Sequence, residues 1–258
     1  MRLMKRILSA AAVLALSASL LVGCSSGTAS SVPVSASSAA ESTVSSVGET
    51  ASSAVDENEA AAAQLLNDLT GSYQELWPVI LADEYKQTWL DDCTALVGED
   101  NAEAAFEKLS SMVTGDVYGE DAVKAYANGG GAYFCGFTNS LATLTFDGET
   151  STISGTDKDG NVLFSHTYHY IGMEPVRGLY EFQSDDADSG EFTYFFLAPD
   201  TSAETYHIEF RYGSDAEALS QYDTGEYAYW LASGISTDCD QTMIDNCIEL
   251  FCTENLAG

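Results

Sequence analysis

The pattern of apolar and polar residues divides the chain into a helical first half and a strand-rich second half. Apolar residues recur at helical spacing in Glu59–Leu69, which ends at Thr70-Gly71, and again in Ala102–Met112. The apolar stretch Tyr73–Leu81 and the short segment Asp121–Tyr126 are also predicted to be helical. A helical layer is therefore expected before the sheet.

Beyond the glycine run Gly129-Gly130-Gly131 the pattern changes to short alternating segments separated by turns. A glycine run can hold phosphate, but no Lys-Ser/Thr follows this one, so we interpret it as a loop. The predicted strands are Leu141–Phe146, Thr152–Gly155, Val162–Ile171, Gly178–Gln183, Phe192–Leu197 and Tyr206–Tyr212. Short strands at regular spacing, with Asp-Gly turns between them, predict an antiparallel meander that closes as a barrel or a sandwich.

Two helical segments follow the strands. Asp215–Tyr222 is predicted to be a short helix, and Cys239–Phe251 an amphipathic closing helix. The folded part begins near Glu57 and has about 200 residues, which suits one domain over 57–258. The predicted fold class is β-dominated (α+β), with N-terminal helices, an antiparallel barrel and a C-terminal helix.

The N-terminus has the features of a bacterial lipoprotein signal. Three basic residues stand among the first six, and the uncharged apolar stretch Ile7–Val22 follows. It ends in Leu21-Val22-Gly23-Cys24, a lipobox pattern, so residues 1–23 are predicted to be the signal peptide and Cys24 the lipidated residue. The alternative is an ordinary cleaved signal peptide whose cysteine is incidental.

Residues 24–56 are predicted to be the lipidated cysteine and a disordered tether. Ser25–Val55 is rich in Ser, Ala, Thr and Val and cannot bury a core. A flexible tether of ~30 residues has a root-mean-square reach of about 30 Å. The mature domain is therefore expected outside the cytoplasm, held at the cell membrane by the lipid on Cys24.

Charge excludes several partners. Three of the nine basic residues lie in the signal, which leaves six against 40 acidic residues in the mature chain. Such a surface repels nucleic acid and anionic lipid headgroups, so no nucleic acid partner is expected and the covalent lipid must do the anchoring. The chain has neither a Gly-x-Ser-x-Gly nor a His-Glu-x-x-His motif, and we do not expect an enzyme.

Five cysteines remain besides Cys24, an odd number with no Cys-x-x-Cys pair. Cys239, Cys247 and Cys252 are expected on one C-terminal helix, where positions eight or five apart cannot bridge each other. Any disulfide must then run to Cys93 or Cys135. The alternative is a set of buried free thiols.

His207 and Glu209 are the candidate metal ligands. On a strand they project side by side, because residues i and i+2 face the same way, and an imidazole and a carboxylate can converge on one metal ion. Two alternatives remain: His207 is a hydrogen-bonded residue of the barrel interior, and Glu209 pairs with Arg211. His166 and His169 are three residues apart and should face opposite sides of a strand.

Several segments resemble the ZinT/YodA family of extracytoplasmic zinc-binding proteins with a lipocalin-like, calycin barrel. The similar segments are Gly71, Tyr73, Trp77-Pro78 and Leu81, then Val176-Arg177 with Tyr180-Glu181-Phe182, then Phe196-Leu197-Ala198-Pro199, and finally His207 to Gly213 with Ser214-Asp215 and Glu217-Ala218-Leu219. The resemblance covers roughly residues 67 to 253 and implies the same barrel here.

The family's zinc site uses three histidines, one on a strand before an Ala-Pro step and two in a His-x-His pair on the next strand. The resemblance places the pair on His207 and Glu209 and the remaining ligand on Phe195, which cannot ligate a metal. A third ligand would then come from another residue. The residues considered are His166, His169, Asp200 and Cys135.

The function expected from these observations is that of a tethered lipoprotein that binds or buffers a divalent transition metal, zinc first. Because the same domain is fused to some zinc-uptake lipoproteins, the resemblance also implies a metal-uptake transporter as a partner. The alternative is a metal-free calycin module that binds a small apolar ligand or a protein, since Phe195 makes the interior more apolar.

Overall fold

Eight antiparallel strands close into a barrel in which each strand pairs with its neighbours in chain order. The computed structural model describes residues 45–115, 117–199 and 207–257. The predicted signal, Cys24 and the tether as far as residue 44 lie outside the described residues, as does Asp200. The strands are β1 Gly71–Glu75, β2 Thr143–Asp147, β3 Thr152–Thr156, β4 Val162–Met173, β5 Tyr180–Ser184, β6 Tyr194–Leu197, β7 His207–Gly213 and β8 Ala232–Ser236.

The predicted barrel is confirmed. Pairing of β1 with β8, in which Tyr73 stands opposite Ser236, closes the sheet on itself. Closure removes the unpaired edges that an open sheet would present. The six predicted strands correspond to β2–β7, while β1 and β8 were not predicted from the sequence.

The prediction of a helix over Tyr73–Leu81 was wrong in its first part. Tyr73 belongs to β1, and the helix is confined to Leu76–Ile80. The ring of Tyr73 packs edge-on against Phe146 inside the barrel, with centroids 5.7 Å apart. Ladder hydrogen bonds to two neighbouring strands and this interior contact outweigh the local helical pattern.

Helices precede, interrupt and follow the strands along the chain. They are α1 Ser45–Asp68, α2 Leu76–Ile80, α3 Lys86–Val97, α4 Glu99–Val113, α5 Glu120–Ala127, α6 Ala216–Leu219 and α7 Gln241–Leu256, with short 3-10 turns at Asp83–Tyr85 and Gly190–Phe192. The backbone of α1 is helical from Ser45, within the segment predicted to be tether, and α3 was not predicted. In the described part of the chain, no helix is long and apolar enough to cross a membrane.

One expectation about the C-terminal helix was wrong. Cys239 precedes α7, which begins at Gln241 after Asp240. The Asp240 carboxylate accepts a hydrogen bond from the backbone N–H of Met243 at 3.0 Å and so caps the helix. Cys239 therefore does not share a helix with Cys247 and Cys252, and helical spacing does not constrain its position relative to theirs.

Two apolar cores hold the domain together. One fills the barrel interior, and the other lies between the helices α2, α3, α4 and α7 and the outer face of β8. Trp89 is fully buried in the helical core, and its indole N–H donates to the carbonyl of Ile80 at 2.7 Å. Ile235 of β8 faces this second core, so the outer face of the barrel is covered on that side.

Candidate functional site

The two faces of β7 carry different residues. Ile208, Phe210 and Tyr212 are fully buried and belong to the core of the barrel interior. Because alternate residues of a strand face opposite sides, His207 and Glu209 lie on the outer face, where both are half-buried. The pairing with β8 agrees: His207 stands opposite Ile235, whose side chain belongs to the helical core.

Phe195 lies on the other face of the sheet. It stands opposite Tyr212 across β6 and β7, whereas its neighbour Phe196 stands opposite Arg211. Phe195 therefore shares the interior with Tyr212, and Arg211 shares the outer face with Glu209 and His207. The three positions that the resemblance assigns to the zinc ligands are not brought together, and they would not meet at one ion even with histidine at position 195.

Aromatic rings fill the interior around Phe195. Four rings have centroids within 6.4 Å of its own, and the side chain has no exposed surface. These rings belong to Phe164, Tyr168, Phe210 and Tyr212. Within the described ranges, no group of three His, Cys, Asp or Glu side chains is placed to hold a metal ion. The interior is a packed aromatic core.

The hydroxyl groups of this core are satisfied within the protein. Tyr168 donates to the carbonyl of Phe192. Tyr212 donates to the carbonyl of Thr138 at 2.9 Å, and its oxygen accepts the backbone N–H of Thr138 at 2.6 Å. Burial raises the pKa of Tyr212 far above its usual value, so the phenol stays protonated. These groups hold the chain rather than offering ligands to a metal.

The segment Gly136–Thr138 is fixed against the interior by two further groups. The carboxylate of Glu75 accepts the backbone N–H of Phe137 at 2.6 Å, and the indole of Trp230 donates to the carbonyl of Gly136 at 2.9 Å. The ring of Phe137 packs on Phe210 with centroids 5.3 Å apart. The only signal in the sequence for this arrangement is a set of apolar residues in a predicted loop.

Glu209 has a thiol as a neighbour on the outer face. Ser233 stands opposite Glu209 on β8, and its backbone N–H donates to the carbonyl of Cys135 at 3.0 Å. Burial, and after it the negative charge of Glu209, raises the pKa of Cys135 to about 12. The thiol is therefore protonated at neutral pH, and a metal would have to displace its proton to bind there.

The other two histidines lie on β4 and pair with aspartates of the β5–β6 connection. His166 Nδ1 is 2.7 Å from Asp186 Oδ2, and His169 Nδ1 is 2.6 Å from Asp185 Oδ1. The side chain of His166 is 16% exposed and that of His169 is 53% exposed, which agrees with the expected opposite faces. Neither histidine belongs to a three-residue metal group with His207 in the part of the chain described here.

Arg211 is a structural residue that the sequence did not identify. It is fully buried, and its guanidinium donates to the carbonyls of Leu219, Gln221 and Tyr227. It also lies over the ring of Tyr222, 4.3 Å from the centroid. Arg211 thus binds the connection between β7 and β8 to the barrel wall through neutral acceptors.

Two groups of aromatic rings, partly exposed and partly half-buried, lie on or near α5, and together we call them the tyrosine surface. Its residues are Tyr118, Tyr126, Tyr133, Phe134 and Tyr229. The rings of Tyr126 and Tyr229 stack with centroids 4.0 Å apart, and those of Tyr118 and Phe134 with centroids 5.5 Å apart. Tyr229 has a φ of 55°, a left-handed conformation that is rare for a bulky residue.

No family model matches the chain, and no curated protein does. Solved structures that are similar to it include two of Streptococcus pneumoniae AdcA. The Zn(II)-bound ZinT-like domain of Streptococcus pneumoniae AdcA shares 15% sequence identity at a TM-score of 0.45, over 71% of this chain and 89% of that domain. Zn(II)-bound AdcA from Streptococcus pneumoniae shares 13% at a TM-score of 0.43, over 71% of this chain and 35% of that protein. The similarity concerns the fold alone.

Proposed function

We propose that this chain is a lipid-anchored, extracytoplasmic calycin module that binds a partner through its outer surface, without a metal ion or an apolar ligand in the barrel. The supporting observation is the position of Phe195, buried among four aromatic rings where the resemblance expects a zinc ligand. A small apolar ligand would need a cavity, and these rings occupy the interior around Phe195. The proposed module has no catalytic role.

Sequence features support the location outside the cytoplasm. The basic N-terminus, the apolar stretch and the lipobox ending in Cys24 form one consistent signal. Six basic residues against 40 acidic ones give the mature chain no electrostatic attraction to an anionic membrane. The lipid would therefore be the anchor, and the domain would remain free to present its outer surface.

The tyrosine surface supports the choice of a partner-binding role. Tyr126 is 46% exposed and Tyr118 is 36% exposed, although both rings are already stacked on another aromatic ring. Stacked tyrosines offer large, rigid apolar area with a polar edge, and tyrosine is enriched where proteins bind partners. The strained backbone at Tyr229 is of the kind that clusters at ligand-binding sites.

One observation favours a second candidate, zinc binding on the outer face of the barrel. Glu209 and Cys135 are close enough for the carboxylate to raise the pKa of the thiol, and His207 is two residues from Glu209 on the same face. In this candidate Glu209, His207 and Cys135 would have to move together to ligate the ion, because their placement does not form a three-residue metal group. A metal-uptake transporter would then receive the ion. If Cys135 did not join them, His207 and Glu209 alone would bind zinc weakly.

Calorimetric titration of the unlipidated mature chain with zinc tests whether the domain is metal-free, as in the main proposal, or binds zinc on its outer face, as in the second candidate. We expect no binding tighter than roughly millimolar, and the variants His207→Ala and Cys135→Ala should give the same result. A micromolar site that both variants abolish would show that the domain is not metal-free and would favour the second candidate. A site that neither variant alters would point to the acidic surface and leave the interior without metal.

A further inference from the structure

Two cysteines on different helices are in contact in the helical core. Cys93 lies on α3 and Cys252 on α7, and both side chains are fully buried. Their Sγ atoms are 3.9 Å apart, which is van der Waals contact between sulfur atoms. The two helices pack along their length here, with Trp89 of α3 against Phe251 of α7 at 6.0 Å between ring centroids. The thiols are therefore held together by well-packed elements.

The remaining described cysteines do not share this arrangement. Cys135 belongs to the same helical core, but it donates to the carbonyl of Tyr133 at 3.9 Å and lies near Glu209. Cys239 is half-buried ahead of α7, and Cys247 lies more than one helical turn before Cys252. Cys93 and Cys252 are the pair whose Sγ atoms lie 3.9 Å apart, and both side chains are completely buried.

We propose that Cys93 and Cys252 form a disulfide in the exported protein. This rests on the extracytoplasmic location proposed above, because disulfides form and persist in oxidising compartments. The oxidant is a disulfide, either a small-molecule disulfide or the disulfide of an oxidoreductase. One cysteine thiolate attacks it to give a mixed disulfide and one free thiol. The second cysteine attacks the mixed disulfide, forms the Cys93–Cys252 bond and releases the second thiol. Both protein thiol protons end on the released thiols.

The bond would require a small movement and would close a large loop. Bringing the sulfur atoms from 3.9 Å to a bond of about 2.05 Å requires them to approach by about 1.9 Å. The cysteines are 159 residues apart, so the closed loop contains every strand from β2 to β8. A cross-link of this size stabilises mainly by restricting the unfolded chain.

Burial determines when the bond would form. It raises the pKa of both thiols, so few thiolates are present once the helices have packed. Oxidation would therefore be fastest before α7 docks on α3, and the completed bond would be shielded from reductants. The disulfide would permanently link α3 to α7.

Peptide mapping tests the pairing directly. The full mature chain, unfolded and reduced, is refolded with glutathione disulfide, alkylated and cleaved after glutamate under non-reducing conditions. Cleavage at Glu84 and Glu99 isolates Cys93, and cleavage at Glu249 separates Cys252 from Cys247. We expect a linked pair of peptides that contains Cys93 and Cys252. Full alkylation of both cysteines, or linkage of either one to a different cysteine, would overturn the proposal.

Thermal unfolding gives a second readout. Oxidised protein should have a Tm about 10 °C higher than the same protein kept in reductant. The variants Cys93→Ser and Cys252→Ser should lose this difference, and Cys135→Ser should retain it. If a serine variant fails to fold, the mapping of the wild-type chain still decides. Refolding in vitro does not depend on export, so a negative result would reject the disulfide and leave the proposed location unaffected.

Discussion

The rings of Phe195 and Tyr212 face each other across β6 and β7 inside the barrel, with centroids 5.3 Å apart. This pairing fixes which residues of β7 can accompany Phe195. His207 and Glu209 differ from Tyr212 by odd numbers of positions and therefore lie on the outer face. A zinc site could therefore lie in the interior near Phe195 or on the outer face near His207 and Glu209, but not at both together. Each place can be tested by substitution.

Restoring histidine at position 195 should not create a zinc site. In Phe195→His the imidazole would be buried among aromatic rings, with the expected partner ligands on the opposite face. We expect no zinc binding by calorimetry. We also expect a loss of roughly 2–5 kcal/mol in the free energy of unfolding, because a large apolar ring is replaced by a smaller, polar one in the core. Phe195→Leu is the apolar control and should lose less. A tight zinc site in Phe195→His would show that our assignment of faces is wrong.

The hydroxyl of Tyr212 should contribute to stability through the segment that contains Thr138. Tyr212→Phe removes the acceptor of the Thr138 N–H and a donor to the Thr138 carbonyl, and leaves both buried groups without this partner. We expect a loss of about 1–3 kcal/mol in urea unfolding. Tyr126→Phe, at an exposed ring, is the control and should change stability by less than about 0.5 kcal/mol. Equal effects of the two substitutions would contradict the assigned role of Tyr212.

Most of the barrel could be predicted because strands such as β2 and β3 alternate in burial and are each followed by an Asp-Gly turn. The strand β8 could not be predicted, since four of its five residues, Ala232–Ser236, are small and nearly all are buried, so the strand shows no alternation. The strand β1 runs directly into α2, and the joint apolar stretch favours helix. The two strands pair with each other, and this contact between strands far apart in the sequence is not contained in local patterns.

The candidate site was harder to predict than the fold. The side-by-side placement of His207 and Glu209 follows from strand periodicity and is confirmed by the burial pattern of β7. Which face they occupy relative to Phe195 depends on the register between β6 and β7, which only the structure supplies. Likewise, the neighbourhood of Cys135 and Glu209 arises because a loop packs beside β8, and no spacing in the sequence encodes it.

Arg211 should anchor the connection between β7 and β8. Arg211→Lys keeps the positive charge but cannot reach three separate carbonyls, so buried acceptors would lose their donors. We expect a loss of about 2–4 kcal/mol in the free energy of unfolding, and faster hydrogen exchange confined first to amides between Leu219 and Tyr227.

Arg177→Lys is the matched control for Arg211. Arg177 is exposed and lies 4.6 Å from the ring centroid of Tyr222, so its replacement should cost only about 0.5–1 kcal/mol. Uniform acceleration of hydrogen exchange over the whole barrel in Arg211→Lys, or equal costs in the two variants, would show that Arg211 does not act locally on this connection.

Stability should fall in the alkaline range, and buried phenols and thiols determine where the fall begins. Burial raises the pKa of Tyr222 to about 12 from an ordinary value of 10.0, and that of Cys135 to about 12 from 9.0. At a pH between the ordinary pKa of a group and its raised pKa in the folded chain, the unfolded chain has released the proton and the folded chain still holds it. Unfolding is then favoured as pH rises, so this contribution to stability is complete below about pH 9 and is lost as pH approaches 12.

Urea unfolding at about pH 7, 9 and 10.5 measures this effect. The midpoint should change little between the first two values and decrease clearly by the third. Cys135→Ala removes one titrating group, so its urea midpoint should decrease less over the same interval. Its midpoint should be lower at every pH, because the smaller side chain fills less of the core. A midpoint that stays constant up to about pH 10.5, or a decrease equally large in the variant, would mean that these groups ionise in the folded state as easily as in the unfolded one.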